Sequence, residues 1–157
     1  MGAIIMLKIN IVCVGNLKDK FFIEASEEYT KRLSRFCNVS INELKEFTNL
    51  SSVEQIKKSE GEEIIKNIKG YFILCDVKGE ECSSEGLAEK IERISQTNDQ
   101  ITFVIGGSYG VSNEVKNKAN ELLSVSKMTF PHRLFRVMLL EQIYRAETII
   151  NGIKYHK

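Results

Sequence analysis

The C-terminal segment, residues 124–157, collects side chains that could move a proton or bind a polyanion. It holds both histidines, His132 and His156, and the single proline. From residue 127 to residue 157 there are six Lys or Arg against two Glu, a local balance of +4 (6 − 2). Imidazole titrates near neutral pH and can transfer protons, and a cationic patch attracts phosphates. We therefore interpret this segment as the functional site.

Each group in this segment also has a purely structural interpretation. Pro131 suits the first turn of a helix, and His132 considered alone is more typical of a buried hydrogen-bonding residue. Glu141 and Arg145 are four residues apart, a spacing that also occurs in surface ion pairs on helices. A surface ion pair is less expected here because the surrounding helix, residues 133–150, is otherwise nearly all apolar.

A glycine-rich loop is the second feature that could bind a ligand. Residues 106–110 read Gly-Gly-Ser-Tyr-Gly and follow a short apolar run. Glycines allow a ligand to approach the backbone closely, although a tight turn without a ligand fits the spacing equally well. The loop is neither the dinucleotide fingerprint nor a phosphate loop, because the glycine spacing differs and no Gly-Lys-Ser/Thr follows. A nucleotide-dependent oxidoreductase is thereby disfavoured.

Composition sets the outer limits. The 157 residues predict one domain, residues 1–157. The net charge of +1 excludes a general attraction to nucleic acid, so a polyanion must meet the local C-terminal patch. The four cysteines show no C-x-x-C spacing, so we expect no metal site and no redox pair. No signal sequence or membrane span is indicated, and we expect a soluble cytoplasmic protein.

The elements that must position these groups alternate between strand and helix. Strands are predicted over residues 4–14, 38–47, 71–77 and 101–105, with an exit loop at residues 78–82 and a short extended run at 125–130. Helices are predicted from Asp19 as N-cap to residue 36, and over residues 53–68, 84–95, 112–123 and 133–150. This alternation predicts an α/β fold, a mainly parallel sheet with helices on both faces.

The last helix is apolar around more than one face, which predicts that it is covered on both sides. One side can be the sheet of its own chain and the other a second subunit. We therefore expect a homodimer.

Three ordered motifs carry a resemblance that covers the chain from about residue 6. They are Phe-Val-Ile-Gly-Gly with Gly110 at residues 103–110, Ser-Lys-Met-Thr-Phe-Pro-His at 126–132, and Leu-Glu-Gln-Ile-Tyr-Arg-Ala at 140–146 with the closing Tyr-His-Lys. Together they resemble the bacterial pseudouridine methyltransferases of large-subunit ribosomal RNA, which belong to the SPOUT class.

The resemblance implies a homodimeric α/β fold with a C-terminal trefoil knot, S-adenosyl-L-methionine as cofactor, and methyl transfer to N3 of a pseudouridine in 23S ribosomal RNA. It also implies which residues line the cofactor: Cys75, Gly106, Val125, Ser126, Lys127, Met128, Thr129 and Phe130. Cys75 stands where the family usually has leucine.

Methyl transfer to N3 requires a base to take the imide proton. His156 is the first candidate and His132 the second, while Arg145 or Arg136 could stabilise the charge that develops on the ring. Tyr155 could stack on the base or hydrogen-bond to it. The alternative function is a non-enzymatic RNA- or ribosome-binding module that uses the same basic terminus without a cofactor.

Overall fold

The structure is a computed structural model that describes residues 6–157. The predicted strand at residues 4–14 lies partly outside the described residues. Five strands and five helices follow in the described chain: β1 Lys8–Val14, α1 Lys20–Leu33, β2 Asn38–Leu44, α2 Val53–Lys66, β3 Tyr71–Glu81, α3 Ser84–Ser95, β4 Gln100–Ile105, α4 Asn113–Lys118, β5 Glu121–Ser124 and α5 His132–Ile150.

The strands form one sheet in the order β2-β1-β4-β3-β5, and every pairing between them is parallel. Alternate side chains of each strand point to opposite faces. Ile9 and Ile11 of β1 join the core under α1, α3 and α5, whereas Val12 and Val14 join the core under α2 and α4. The predicted α/β architecture with helices on both faces is confirmed.

The ends of two elements, β3 and α4, differ from the prediction. The exit loop predicted at residues 78–82 is wrong, because β3 continues to Glu81 after a register shift against β5. Gly79 permits this pairing: a Cβ there would lie 2.7 Å from the carbonyl carbon of Leu122. No signal in the local apolar pattern marks such a close approach of two backbones.

The helix predicted to reach residue 123 is also too long. α4 ends at Lys118, and the strand predicted at 125–130 lies earlier, as β5. Asn120 explains the change, since its side-chain oxygen accepts the N–H of Phe72 and its own N–H donates to the Phe72 carbonyl, both at 2.8 Å. Residues 125–130 are therefore free to form a loop beyond the sheet.

α5 is covered more fully within the chain than its apolar composition predicts. It packs against the sheet, and α1 and α3 flank it on either side. Leu140 is completely buried in this core. Packing within the chain thus covers most of the apolar surface of the helix without a second subunit. Leu140 faces the interior of its own chain.

Glu147, near the end of α5, is a buried carboxyl group whose ionisation should affect stability. Burial raises its pKa from 4.5 to about 7, against a hydrogen bond from the Asn151 side chain that favours the charged form. The contribution of this group to the free energy of unfolding is therefore fully present below pH 4.5 and is lost as the pH rises through 7. A shift of this size corresponds to about 3 kcal/mol.

Replacing Glu147 with Gln should accordingly stabilise the protein at high pH. We expect Glu147→Gln to raise the free energy of unfolding by about 2–3 kcal/mol at pH 8 and to have little effect at pH 4, as measured by urea denaturation. Glu89→Gln, on the exposed face of α3, is the matched control. An equal gain from Glu147→Gln at both pH values would contradict this account.

Candidate functional site

A cavity of about 340 Å³ lies where the carboxyl ends of β3, β4 and β5 meet the start of α5. Ligands of open α/β sheets bind outside the carboxyl ends of strands. The wall of this first cavity comes from β3, the loops after β4 and β5, and the start of α5, with Lys57 of α2 and Lys116 of α4. Its lining includes Cys75, Asp76, Val77, Lys78, residues 105–111, Leu123, Ser124, Val125, Ser126, Met128, Thr129, Phe130, His132 and Phe135.

Seven of the eight residues predicted to line a cofactor lie in this wall: Cys75, Gly106, Val125, Ser126, Met128, Thr129 and Phe130. Lys127 does not line the cavity and is exposed. The loop is shaped by its own serines, since the Ser126 hydroxyl accepts the N–H of Met128 at 3.0 Å and Ser124 donates to the carbonyl of Ser126 at 2.8 Å. Lys127 is thereby left on the solvent side of the turn.

Cys75 closes the cavity floor as a neutral, mostly apolar group. Burial raises the pKa of its thiol well above the ordinary value, so the thiol carries no charge at neutral pH and is a poor nucleophile. Its place is consistent with packing against a ligand.

The glycine loop wraps one side of the cavity. Gly110 donates its N–H to the Gly107 carbonyl at 3.0 Å and adopts a φ of +82°, a conformation that glycine takes without strain. A Cβ on Gly106 would lie 2.6 Å from Cγ1 of the buried Val111. Gly106 therefore lets the loop fold onto its own core, whereas the sequence suggested that the glycine leaves room for a ligand.

Four charged residues of the wall were missed from sequence: Asp76, Lys57, Lys78 and Lys116. Asp76 accepts the N–H of Lys78 at 2.9 Å and lies 4.0 Å from the Lys116 ammonium. The position of Asp76 directly after a buried apolar run was an available signal, because the pairing of β3 with β4 ends at Cys75. The lysines gave no comparable signal.

His132 stands at the start of α5, between the first cavity and a neighbouring second cavity. Partial burial lowers the pKa of its imidazole below the usual value, while the charge of Glu46 opposes the shift. The shift favours the neutral form of the imidazole. Of the residues proposed for catalysis, it is the one that the structure places at the cavity of its own chain.

Arg145, Tyr155 and His156 form a second cluster on α5 and the tail that follows it. Arg145 donates through Nε to Glu141 at 3.0 Å, and the Tyr155 hydroxyl donates to the same carboxylate at 3.1 Å. The Arg145 guanidinium also lies over the Tyr155 ring at 4.8 Å. Burial, with Glu141 adding to it, raises the pKa of Tyr155 to about 12, so its phenol remains a donor.

His156 is held at both ring nitrogens. Nδ1 lies 3.2 Å from the Arg145 guanidinium, and Nε2 lies 2.6 Å from the Glu85 carboxylate. Arg145 can only donate, so Nδ1 is the acceptor and Nε2 carries the proton shared with Glu85. The carboxylate thus orients the ring and leaves a basic nitrogen on the arginine side.

The two clusters are well separated within one chain. His132 and Arg145 are 13 residues apart on the same helix, which corresponds to about 20 Å. Neither Tyr155 nor His156 lines the first cavity. One chain alone does not bring its tail to its own cavity.

Arg136 is engaged in a structural contact. Its side chain is 6% exposed, and it donates to Glu43 at 2.7 Å and to the Gly15 carbonyl at 3.1 Å. These contacts tie the start of α5 to the ends of β1 and β2. The sequence suggested Arg136 as a stabiliser of developing charge, but both ends of its guanidinium already have partners.

The described chain has no grouping of metal ligands and no membrane-spanning helix. Across residues 6–157, no three His, Cys, Asp or Glu side chains are grouped so as to hold a metal ion. Nor does any helix in that range have the length and apolar content needed to cross a membrane.

Comparisons with known proteins identify the family to which this chain belongs. Residues 7–156 match a family model described as predicted SPOUT methyltransferase. A protein of Caldicellulosiruptor saccharolyticus named ribosomal RNA large subunit methyltransferase H is 48% identical over 153 residues, covering 95% of this chain and 99% of that relative. A protein of the same name from Clostridium botulinum strain Kyoto is 48% identical over 159 residues, covering 96% and 100%.

A solved structure shares the fold at much lower sequence similarity. It is titled as a probable methylase family protein from Haemophilus influenzae Rd KW20 and aligns with a TM-score of 0.54 at 17% identity, covering 95% of this chain and 70% of that one. The full-length family match and the two close relatives decide the assignment: the chain belongs to the SPOUT methyltransferase family.

Proposed function

We propose that this protein is an S-adenosylmethionine-dependent methyltransferase that acts on N3 of a pseudouridine in 23S ribosomal RNA, with residues 1–157 working as one domain in the cytoplasm. The observation that carries the proposal is the first cavity, where seven of the eight predicted cofactor residues meet. The names of the full-length relatives support ribosomal RNA of the large subunit as the substrate. A trefoil knot is part of the proposal, as the resemblance to the family implies.

The lining of the first cavity fits the chemistry of the cofactor. Apolar side chains such as Ile105, Leu123 and Phe130 suit an adenine ring. Asp76 and the nearby lysines offer partners for hydroxyl, ammonium and carboxylate groups. The cavity is formed by loops that expose backbone groups, as expected for close contact with a small polar ligand.

S-adenosylmethionine supplies an electrophilic methyl group on a sulfonium. N3 of the base loses its proton and bonds to that methyl as the carbon–sulfur bond breaks, leaving a neutral thioether. His156 is the proposed proton acceptor, through Nδ1, because Glu85 on Nε2 stabilises the imidazolium that forms. Nδ1 accepts from the Arg145 guanidinium at 3.2 Å, so the proposal requires Arg145 to turn from that nitrogen to a ring carbonyl of the bound base, where it stabilises the developing negative charge.

This assignment requires two chains. Since the tail cluster lies about 20 Å along α5 from the cavity of its own chain, the base must come from a second subunit. A homodimer in which each tail serves the other subunit's cavity meets this requirement. The starts of α1 and α5 suit such an interface, because Phe21 is 64% exposed and Leu134 38% exposed there, and Asp19 links to Arg133 at 3.4 Å.

The dimer can be tested on that apolar surface. Light scattering should report a dimer at micromolar concentration, and Phe21→Glu with Leu134→Glu should shift it towards monomer. Val53→Glu, an equally exposed position on the other face, should leave the dimer intact. Leu140→Glu is unsuitable because Leu140 lies in the core. A soluble parent protein that is monomeric at this concentration would contradict the proposal.

The RNA-binding patch is smaller than the sequence count indicates. Of the six cations from residue 127 onwards, Arg133, Arg136 and Arg145 are paired with carboxylates. Lys127, Lys154 and Lys157 are exposed. These three are the proposed phosphate contacts, and binding to the ribosome should weaken with salt accordingly.

Calorimetric titration with S-adenosylmethionine in the absence of RNA tests the proposed function against its alternative. A methyltransferase should bind the cofactor with one site per cavity, and S-adenosylhomocysteine should compete. A non-enzymatic RNA- or ribosome-binding module should bind ribosomes and show no heat with either compound. That second outcome would overturn the proposal.

A further inference from the structure

A second cavity of about 330 Å³ adjoins the first and shares Ile105, Ser108 and His132 with it. Its remaining wall comes from the end of β1, the loop after β2 and the first turns of α5: Cys13, Val14, Gly15, Asn16, Glu46, Pro131, Arg133 and Arg136. β1 and β4 are adjacent in the sheet, and the chain runs from β1 outwards to β2 on one side and crosses to β3 on the other. This reversal of strand order is where open α/β sheets bind ligands.

The charges around the second cavity favour a neutral polar ligand over a phosphate. Two cations line it, but Arg136 is paired with Glu43 at 2.7 Å and Arg133 with Asp19 at 3.4 Å. Glu46 is the one carboxylate among the described residues of the lining. With His132 neutral, the cations, their two partners and Glu46 sum to −1. The second cavity would therefore bind an anionic group weakly. A ring with N–H donors and carbonyl acceptors would find hydrogen-bond partners for both kinds of group.

Resting on the proposed function, we infer that the second cavity receives the target base and that Glu46 accepts the N1–H of pseudouridine. The shared wall places a base in this cavity next to the first cavity, from which the methyl group comes. Pseudouridine is joined to its ribose through carbon, so its ring keeps an N–H at N1 as well as at N3. Uridine has no hydrogen on N1.

The two ring N–H groups then have different roles. N3 loses its proton and takes the methyl group, and N1 is held by a charged acceptor. The Asn16 amide and the unused hydrogens of the guanidinium groups can donate to the ring carbonyls. A carboxylate facing N1 discriminates against uridine, whose ribose would meet it instead. Glu46 thus becomes a specificity-determining residue.

Binding of free nucleosides tests the cavity without ribosomes. Amide spectra of the protein with S-adenosylhomocysteine should show shifts at Gly15, Asn16 and Ser108 on millimolar pseudouridine, and much smaller shifts on uridine. Equal shifts with both nucleosides would overturn the role of Glu46. Shifts confined to other residues, or the same shifts produced by inorganic phosphate, would overturn the cavity assignment.

Methylation kinetics test the residue. With unmethylated ribosomes, Glu46→Ala should lower the transfer rate at least about 10-fold, as expected for loss of a hydrogen bond to a charged group, and should leave cofactor affinity within 2-fold. Glu46→Gln keeps an acceptor oxygen and should recover part of the rate. Glu54→Gln, on an 88% exposed side chain of α2, is the matched control.

Failure of the inference and failure of the proposed function are distinguishable. If the parent protein methylates ribosomes and Glu46→Ala transfers at the parent rate, the inference is wrong and the function stands. If the parent protein transfers no methyl group, the proposed function is wrong, and the nucleoside titration still decides whether the second cavity holds a base.

Discussion

Removal of residues 155–157 is expected to reduce methylation of ribosomal RNA to less than about one hundredth of the parent rate, the scale for loss of a general base. The deletion takes away His156 and the Tyr155 ring that packs on Arg145. None of the three deleted residues lines the first cavity. Affinity for S-adenosylmethionine should therefore stay within a few-fold of the parent, and the protein should remain dimeric. Rate and affinity are measured by labelled methyl transfer and by calorimetry.

Mixed dimers show whether the tail acts on the other subunit. A chain lacking its tail is combined with a chain whose cavity is disabled by Gly106→Val. The heterodimer retains one cavity and one tail on different chains, and it should recover up to about half of the parent activity. Recovery is not expected if the tail acts on its own chain. Loss of cofactor binding on truncation would show instead that the tail closes the cavity.

Substitution of Gly106 is expected to remove cofactor binding from a protein that still folds. Even an alanine Cβ would lie 2.6 Å from Cγ1 of Val111, and overpacking of this kind costs about 1–3 kcal/mol. If the glycine loop moves to relieve it, affinity falls roughly 5- to 150-fold for Gly106→Ala, and further for Gly106→Val. Calorimetry gives the affinity, and circular dichroism verifies the fold.

A double substitution distinguishes two reasons why residue 106 must be glycine: contact with Val111, or space needed by the cofactor. Val111→Ala removes the methyl group that the new Cβ meets, so Gly106→Ala combined with Val111→Ala should regain much of the lost affinity. If the Cβ of Gly106 instead occupied the space of the ligand, the second substitution would restore nothing. Gly86→Ala, in α3 and outside the first cavity, controls for a general effect of replacing glycine.

Local pattern was sufficient for most of the fold. The N-cap Asp19, the helix at residues 84–95 and the apolar runs at β3 and β4 lie where they were predicted. Parallel pairing followed from the alternation of strands and helices. The predictions of the end of α4 and of the exit loop at residues 78–82 were wrong because both depend on contacts between residues distant in sequence. Asn120 hydrogen-bonds to Phe72, and Gly79 approaches Leu122. A local sequence pattern does not reveal such partners.

The site was predictable in its parts and not in its arrangement. The resemblance to the family named seven residues that line the first cavity, and helical spacing predicted the Glu141–Arg145 pair. The structure was needed to show that Arg136 is held by Glu43 and that Arg145 lies about 20 Å along α5 from His132 at the cavity. The need for a second subunit therefore rests on this distance, since α1 and α3 already cover the sides of the helix.

Mass spectrometry of ribosomal RNA tests the central claim most directly. The purified protein is incubated with ribosomes that lack the modification and with S-adenosylmethionine carrying a deuterated methyl group, and the 23S RNA is digested to nucleosides. The account predicts deuterated 3-methylpseudouridine as the labelled product, formed at less than about one hundredth of the parent rate by the protein lacking residues 155–157. Ribosome binding without any labelled nucleoside, or label on a different nucleoside, would contradict it.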